Sequence, residues 1–270
     1  HLFDLCGYFK EHNPEISVFI AAPEEAPFGP KYKDLSQDFF PLVSRSFSLI
    51  KLIKLFIFCK KHHISIIHSH GRGAGIYSRL LKIGGFTIIH TFHGVHLNSG
   101  FTSLVKYYVD RILGRFTDHF ICVSTDEQNK ALSLKLCLKD NSSIIPNGIA
   151  LFPVTKKKTN LFTIGTLSRF DYQKGLDLEL KGIAHFKKVH PELSFKLLIA
   201  GDGEEFSKIK KIKNQLSLNN EVVLLGQTDD PQAFLSSLDL YLSFSRGEGL
   251  PLAVLEAMGA EVPCLLSNVQ

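Results

Sequence analysis

The sequence predicts an α/β fold of two Rossmann-like, doubly wound parallel-sheet domains facing a cleft, and three observations lead there. Short β-branched runs alternate with amphipathic helical stretches along nearly the whole chain, the pattern of βαβ units. A Lys-rich strandless stretch, IALFPVTKKKTN (149–160), interrupts that rhythm once, and the rhythm then restarts. The chain has 270 residues, 44% hydrophobic and 21% charged, enough to bury a core in each of two ordinary domains. The domains expected are 1–152 and 153–270.

In the first domain HLFDLCGYFKEHNPE (1–15) reads as a helix. Buried strands are expected at ISVFIAA (16–22), ISIIHSH (64–70), TIIHTF (87–92) and HFICVS (119–124). Helices are expected over SFSLIKLIKLFIFCKKH (46–62), AGIYSRLLKI (74–83) and SLVKYYVDRILGRF (103–116). In the second domain the strands are LFTIGTL (161–167), SFKLLIAG (194–201), EVVLLG (221–226), LDLYLSF (238–244) and PCLLS (263–267). Helices fall between them over about 175–189, 204–218, 231–237 and 251–259, with Pro251 suited to the first turn of the last. Ligands on such sheets bind beyond the C-terminal strand ends, and a cleft between two such domains is the default active site.

Composition narrows the function classes. Five scattered cysteines, Cys6, Cys59, Cys122, Cys137 and Cys264, argue against a disulfide framework or a zinc site and suit a reducing, cytoplasmic compartment. No membrane-length apolar run or signal peptide is visible, in a chain that starts at His1 rather than Met. The net charge of +5 sits in the first half: 1–150 holds 17 Lys+Arg against 12 Asp+Glu, and the rest holds 14 against 14. Residues 40–115 carry eleven basic residues and a single acid, Asp110. That stretch reads either as a solvated basic face or as a surface for anionic headgroups or an anionic substrate.

Two segments carry candidate chemistry. In SRFDYQKG (168–175), Arg169 and Lys174 stand in a loop between a strand and a helix, where two cations could neutralise a diphosphate or could be unrelated exposed charges. In SRGEGLPLAVLEAM (245–258), glycines at 247 and 249 allow close backbone approach to a ligand ahead of a helix N-terminus. Glu248 and Glu256 could each accept from a vicinal diol, so that one helix start would hold phosphate and two sugars. Otherwise Glu248 is a first-turn dipole partner and Glu256 a solvated helix residue.

SRGEGLPLAVLEAMGAEVP (245–263) resembles the E-x7-E signature of the family 4 retaining glycosyltransferases, which have the GT-B fold. GTLSRFDYQKGLD (165–177), LLIAGDGEE (197–205), VVLLGQTDD (222–230), IIPNGI (144–149), IIHSHGRGAGIYSRLL (66–81) and HTFHGVH (90–96) resemble that family in the right order over almost the whole chain. The resemblance implies that Arg169 and Lys174 bind the donor diphosphate and stabilise it as a leaving group. It implies that Glu248 holds hydroxyls of the transferred sugar and Glu256 the ribose, with Gly249 and Leu250 as backbone donors. It assigns His93 to the donor sugar. It further implies retaining transfer from a UDP-, GDP- or ADP-sugar to a glycan or lipid-linked acceptor, in cell-surface polysaccharide or lipopolysaccharide synthesis. No metal and no resident cofactor are implied, and no Asp-x-Asp stands at a strand end.

The family normally opens with a strand and a glycine-rich loop and continues past a motif such as SNVQ (267–270), so the chain reads as lacking the first strand and the C-terminal end. Rival readings are a sugar-nucleotide 2-epimerase on the same fold and a non-catalytic donor-binding homologue. A dinucleotide-binding reading of GRGAG (71–75) fails because the third glycine would fall at Ile76. No nucleic-acid module is present. The basic first half, with the lysine-studded helix over 46–62, fits a peripheral enzyme at the inner face of an anionic membrane.

Overall fold

The computed structural model describes residues 2–25, 28–43, 47–95, 101–154 and 161–269. Ser46, His96 and the TKKKTN (155–160) part of the expected linker lie outside them. The chain divides into two compact units, His1–Asn147 and Gly148–Gln270. Residues 149–152 belong with the second unit because they pack there: Phe152 joins one of its cores, and Gly259 lies against Ile149 and Leu151.

The first unit runs α1 (Leu2–His12), β1 (Ile20–Ala22), α2 (Phe28–Leu35), β2 (Phe39–Pro41), α3 (Leu49–Lys61), β3 (Ile66–His70), α4 (Gly71–Leu80), β4 (Thr87–Thr91), α5 (Phe101–Leu113), β5 (His119–Cys122), α6 (Thr125–Ser133) and β6 (Ser142–Ile144). β3, β4, β5 and β6 form a parallel sheet in that order, and β1 pairs with β2 in a separate parallel pair. Only the last three residues of ISVFIAA (16–22) enter a ladder, because the partner strand is itself three residues long. Ser48 caps α3 by accepting from the Lys51 N–H, and Leu55 and Cys59 turn inward. Tyr77 on α4 accepts from the Ser48 N–H at 2.8 Å, tying α3 to α4.

Gly75 of GRGAG (71–75) has a packing reason. A Cβ at Gly75 would lie 2.6 Å from the His90 ring, so α4 can seat on β4 only without one. His90 is buried, and its Nδ1 lies 2.9 Å from Ser69 Oγ, which accepts from Ser78. Burial pushes its pKa well below the ordinary imidazole value, with Arg79 adding to the effect. Arg79, on the next stretch of α4, is also buried and pairs with Asp110 on α5 at 3.3 Å, while Arg72 reaches the other Asp110 oxygen at 2.6 Å.

The second unit runs β7 (Phe162–Leu167), α7 (Leu176–Val189), β8 (Phe195–Ala200), α8 (Phe206–Gln215), β9 (Val222–Gly226), α9 (Pro231–Ser236), β10 (Leu240–Ser243), α10 (Leu252–Gly259) and β11 (Cys264–Leu266). All pairings in its sheet are parallel, in the order β11-β10-β7-β8-β9. Alternate residues of β8 serve two cores, Leu197 and Ile199 with α7 and α8, Leu198 and Ala200 with α9 and α10. The sheet is therefore wound on both faces, as the alternation in the sequence predicts. Pro251 caps α10 in an extended conformation instead of occupying its first turn, since the helix begins at Leu252.

Glu179 on α7 is fully buried beside a cavity of about 500 Å³ lined by side chains such as Ile183, Phe186 and Leu242. Thr166 Oγ1 donates to its Oε1 at 2.6 Å, while Oε2 has no partner among the described residues. Burial pushes its pKa up to about 8, against the Thr166 hydrogen bond. The folded chain thus keeps a proton that the unfolded chain releases above about pH 4.5, so this group costs more stability as pH rises from there towards 8. Glu179→Gln is expected to stabilise the second unit by up to about 3 kcal/mol at pH 7 and by almost nothing at pH 4.5. Urea denaturation at both pH values checks this; an equal effect at both would mean the carboxyl does not carry the proton.

Candidate functional site

The chain of the second unit runs β7, β8, β9 towards one edge of the sheet and then returns to lay β10 and β11 on the other side of β7. The winding reverses between β7 and β10, and loops leaving such neighbours diverge into a crevice at their C-terminal ends. Arg169 and Lys174 follow β7, and Glu248, Gly249 and Leu250 follow β10. The residues singled out from sequence in this unit therefore flank one topological switch point, apart from Glu256 a few residues further on.

Within that crevice Lys174 Nζ lies 2.6 Å from Glu248 Oε1, with the two side chains only 23% and 19% exposed. Ser245 Oγ donates to the same oxygen at 2.6 Å. Asp171 caps the short turn 172–174 by accepting from the Lys174 N–H. Gly175 then ends it at φ 64°, and a Cβ there would meet the Phe244 carbonyl oxygen at 2.0 Å. Only glycine lets the β7 loop come this close to the end of β10.

Arg246, which sequence reasoning passed over, fastens the same two loops. Its guanidinium donates to the Tyr172 carbonyl at 2.7 Å and to Asp177 at 2.8 Å, and lies 4.1 Å from the Tyr172 ring centre. Its backbone N–H donates to the Gln173 carbonyl at 2.7 Å. Arg246 holds the Asp177 carboxyl below its usual pKa against the opposing effect of burial. The signal was present, since Arg246 sits inside the SRGEGL motif, but nothing in the spacing says that it turns back towards α7.

Arg169 stands apart from the Lys174–Glu248 pair. It is 81% exposed and pairs with Asp171 at 3.0 Å. Gly249 and Leu250 form the half-buried turn into α10, and Glu256 is half-buried on that helix.

In the first unit, His93 follows β4 and His70 ends β3, next to it in the sheet. His70 Nδ1 and His93 Nε2 are 3.0 Å apart, and His68 Nε2 lies 2.7 Å from Thr91 Oγ1. Desolvation pushes the His70 pKa down to about 3, helped by the neighbouring imidazoles, and acts in the same direction on His93, although that side chain is exposed. The lowered values favour neutral rings, in which one ring gives its N–H to the other across this contact. Among the described residues no three His, Cys, Asp or Glu side chains gather as metal ligands. All five cysteines are free.

Comparison with known proteins bears on the family and the fold. Residues 1–151 match the family described as Glycosyltransferase Family 4, and residues 149–270 match Glycosyl transferases group 1. The Escherichia coli UDP-Gal:alpha-D-GlcNAc-diphosphoundecaprenol alpha-1,3-galactosyltransferase is 28% identical over 95% of this chain and 73% of its own length. The crystal structure of Anabaena HepE in complex with UDP and glucose superposes with a TM-score of 0.80 at 16% identity, over 99% of this chain and 77% of that one. Staphylococcus aureus TarM, crystallised with UDP, gives 0.67 at 20% identity over 82% of this chain but only 45% of its own.

Proposed function

The chain belongs to glycosyltransferase family 4, a family of retaining enzymes, and we propose that it moves a hexosyl group from a nucleotide-diphosphate sugar to a glycan or lipid-linked acceptor. The observation that carries the donor site is the Lys174–Glu248 pair at the switch point of the second sheet, an anion-binding cation beside a diol-binding carboxylate. UDP is the favoured nucleotide over GDP and ADP, because the E. coli relative is named for UDP-Gal and both crystallised neighbours hold UDP. The E. coli relative's diphosphoundecaprenol acceptor supports a lipid-linked acceptor, in polysaccharide synthesis at the cytoplasmic face of a membrane.

In this reading Lys174 and Arg169 meet the diphosphate, Gly249 and Leu250 offer backbone N–H groups to phosphate or sugar, and Glu256 holds the ribose. Glu248 holds hydroxyls of the transferred sugar, and His93 is assigned to the donor sugar by the family resemblance. The bond from the anomeric carbon to the phosphate oxygen breaks as oxocarbenium character develops. The acceptor oxygen then bonds to that carbon on the same face, and its proton passes to the departing phosphate oxygen. No dedicated base is needed and neither glutamate is a nucleophile. Preorganised cations lower the barrier by stabilising the charge that develops on the phosphate.

Calorimetric titration of UDP, GDP and ADP with a chelator present tests the donor site. UDP is expected to bind, Glu256→Gln to weaken it by about 1.5–3 kcal/mol, and Glu248→Gln to leave UDP affinity nearly intact while lowering turnover. The reverse pattern would exchange the two roles. A folded protein that binds none of the three nucleotides would overturn the reading.

A further inference from the structure

We propose that Glu127 and His70 are positioning residues for His93, the first holding the backbone that carries it and the second holding its ring. Glu127 opens α6 as the third residue after its cap, Ser124, whose hydroxyl accepts from the Glu127 N–H at 3.2 Å. A glutamate at that place ordinarily turns back to the N–H of the cap residue. Glu127 reaches elsewhere: Oε2 accepts from the Val123 N–H at 2.7 Å, and Oε1 accepts from the Gly94 N–H at 2.6 Å. The residue is buried, and burial raises its pKa against those two hydrogen bonds, so an ionised group here costs stability. A carboxyl that is retained in such a place, with one oxygen turned to a neighbouring loop, indicates that the setting of that loop matters.

The loop is the one that carries His93. The Gly94 N–H belongs to the peptide group that follows His93, so the bond from Glu127 fixes the plane of that group. Gly94 itself turns at φ 106°, a conformation that suits glycine. On the other side, the Phe92 N–H donates to the Ile121 carbonyl at 2.9 Å, and the Phe92 ring stacks on Phe120 at 5.3 Å. The backbone of His93 is thus anchored one residue before it and one residue after it.

The ring has its own support. His70 Nδ1 lies 3.0 Å from His93 Nε2, with the two rings 21° from parallel. One proton serves that contact, so whichever ring donates, the tautomer of His93 is tied to that of His70. His68 braces His70 in turn, its ring centre 4.3 Å away and its Nε2 2.7 Å from Thr91 Oγ1. A side chain fixed in both backbone and ring meets a ligand without reorganising. The use of that order rests on the transferase reading, in which His93 meets the donor sugar.

Nitrogen-15 NMR of the histidine rings in the full chain tests the two roles, with His93→Gln assigning the His93 signals. The wild type is expected to show one protonated and one bare His93 nitrogen at pH 7. His70→Leu should average the two, and His70→Asn, whose amide reaches about as far as Nδ1, should restore a single tautomer. Glu127→Gln should bring a second set of His93 signals and speed hydrogen exchange of the Gly94 amide about tenfold or more. Circular dichroism checks folding, and the two positions test their roles separately. In calorimetry His70→Leu and Glu127→Gln should bind UDP as the wild type does. With UDP-galactose, UDP-glucose and UDP-N-acetylglucosamine they should lose about threefold or more of the extra affinity that the tightest of these sugars adds. A variant that keeps the wild-type His93 signals removes that residue from the role, and both doing so would overturn the proposal. So would an unchanged sugar contribution in variants that bind UDP. Altered His93 signals in a folded protein that binds neither UDP nor any of these donors would keep the positioning and lose the transferase reading.

Discussion

Asp110→Ala is expected to destabilise the first unit by about 3–5 kcal/mol, the largest loss foreseen for any single substitution here. The reason is what stays behind. Arg79 is 1% exposed, and without Asp110 its guanidinium keeps a buried charge with no opposite charge in contact. The Phe120 ring at 5.9 Å offers only a weak attraction to a cation. Arg72, on the half-exposed side of the cluster, can turn to solvent. Urea denaturation followed by circular dichroism measures the loss, and hydrogen exchange at α4 and α5 locates it. The double substitution Arg79→Leu with Asp110→Leu should recover most of it, because two apolar side chains replace the pair without leaving a charge. A loss under about 1 kcal/mol for Asp110→Ala would mean that water reaches Arg79, as at a surface pair.

Lys174→Met is expected to lower kcat about 100- to 1000-fold and to weaken donor binding by about 1.5–3 kcal/mol. Methionine keeps the length and apolar stem and removes only the charge. The proposed role has two phases: attraction of the diphosphate in the bound donor, and stronger stabilisation as it leaves. The first appears in affinity and the second in kcat, so the two losses should be separable in single-turnover measurements. Glu248→Gln should combine with it non-additively, because the two side chains share one contact at 2.6 Å. A raised KM with unchanged kcat would confine Lys174 to ground-state binding, and no change in either would remove it from the site.

Much of this was legible in the sequence. The strands at 64–70, 87–92 and 119–124, and all five of the second unit, announce themselves as β-branched runs between amphipathic stretches. β2 and β6, at three residues each, are too short to show a period, and α6 has too few apolar residues to show a stripe. The candidate site was legible as motifs, with Lys174 in the loop after β7 and Glu248 in the loop after β10. Their contact with each other was not, because it depends on two loops separated by some seventy residues of chain meeting at the reversal of winding. Asp110 stood out as the lone acid of a basic stretch, yet charge counting cannot tell an acid on the surface from one locked inside. Glu179 lay in LDLELKG (176–182), where the helical pattern does not reveal that one polar position faces inward.

The Lys174–Glu248 contact carries one more implication, about selectivity. Under the proposed roles each of the two ligand contacts has the other as a partner. An incoming molecule therefore trades contacts instead of simply adding them. Free phosphate that draws Lys174 away would leave Glu248 with the Ser245 hydroxyl but without the cation. A neutral sugar that displaces Lys174 from Glu248 would leave the ammonium group without that partner. A molecule that brings an anion and a pair of hydroxyls together satisfies both sides of the exchange at once. Under the proposed roles, the pair would favour such a molecule over inorganic phosphate or free sugar alone.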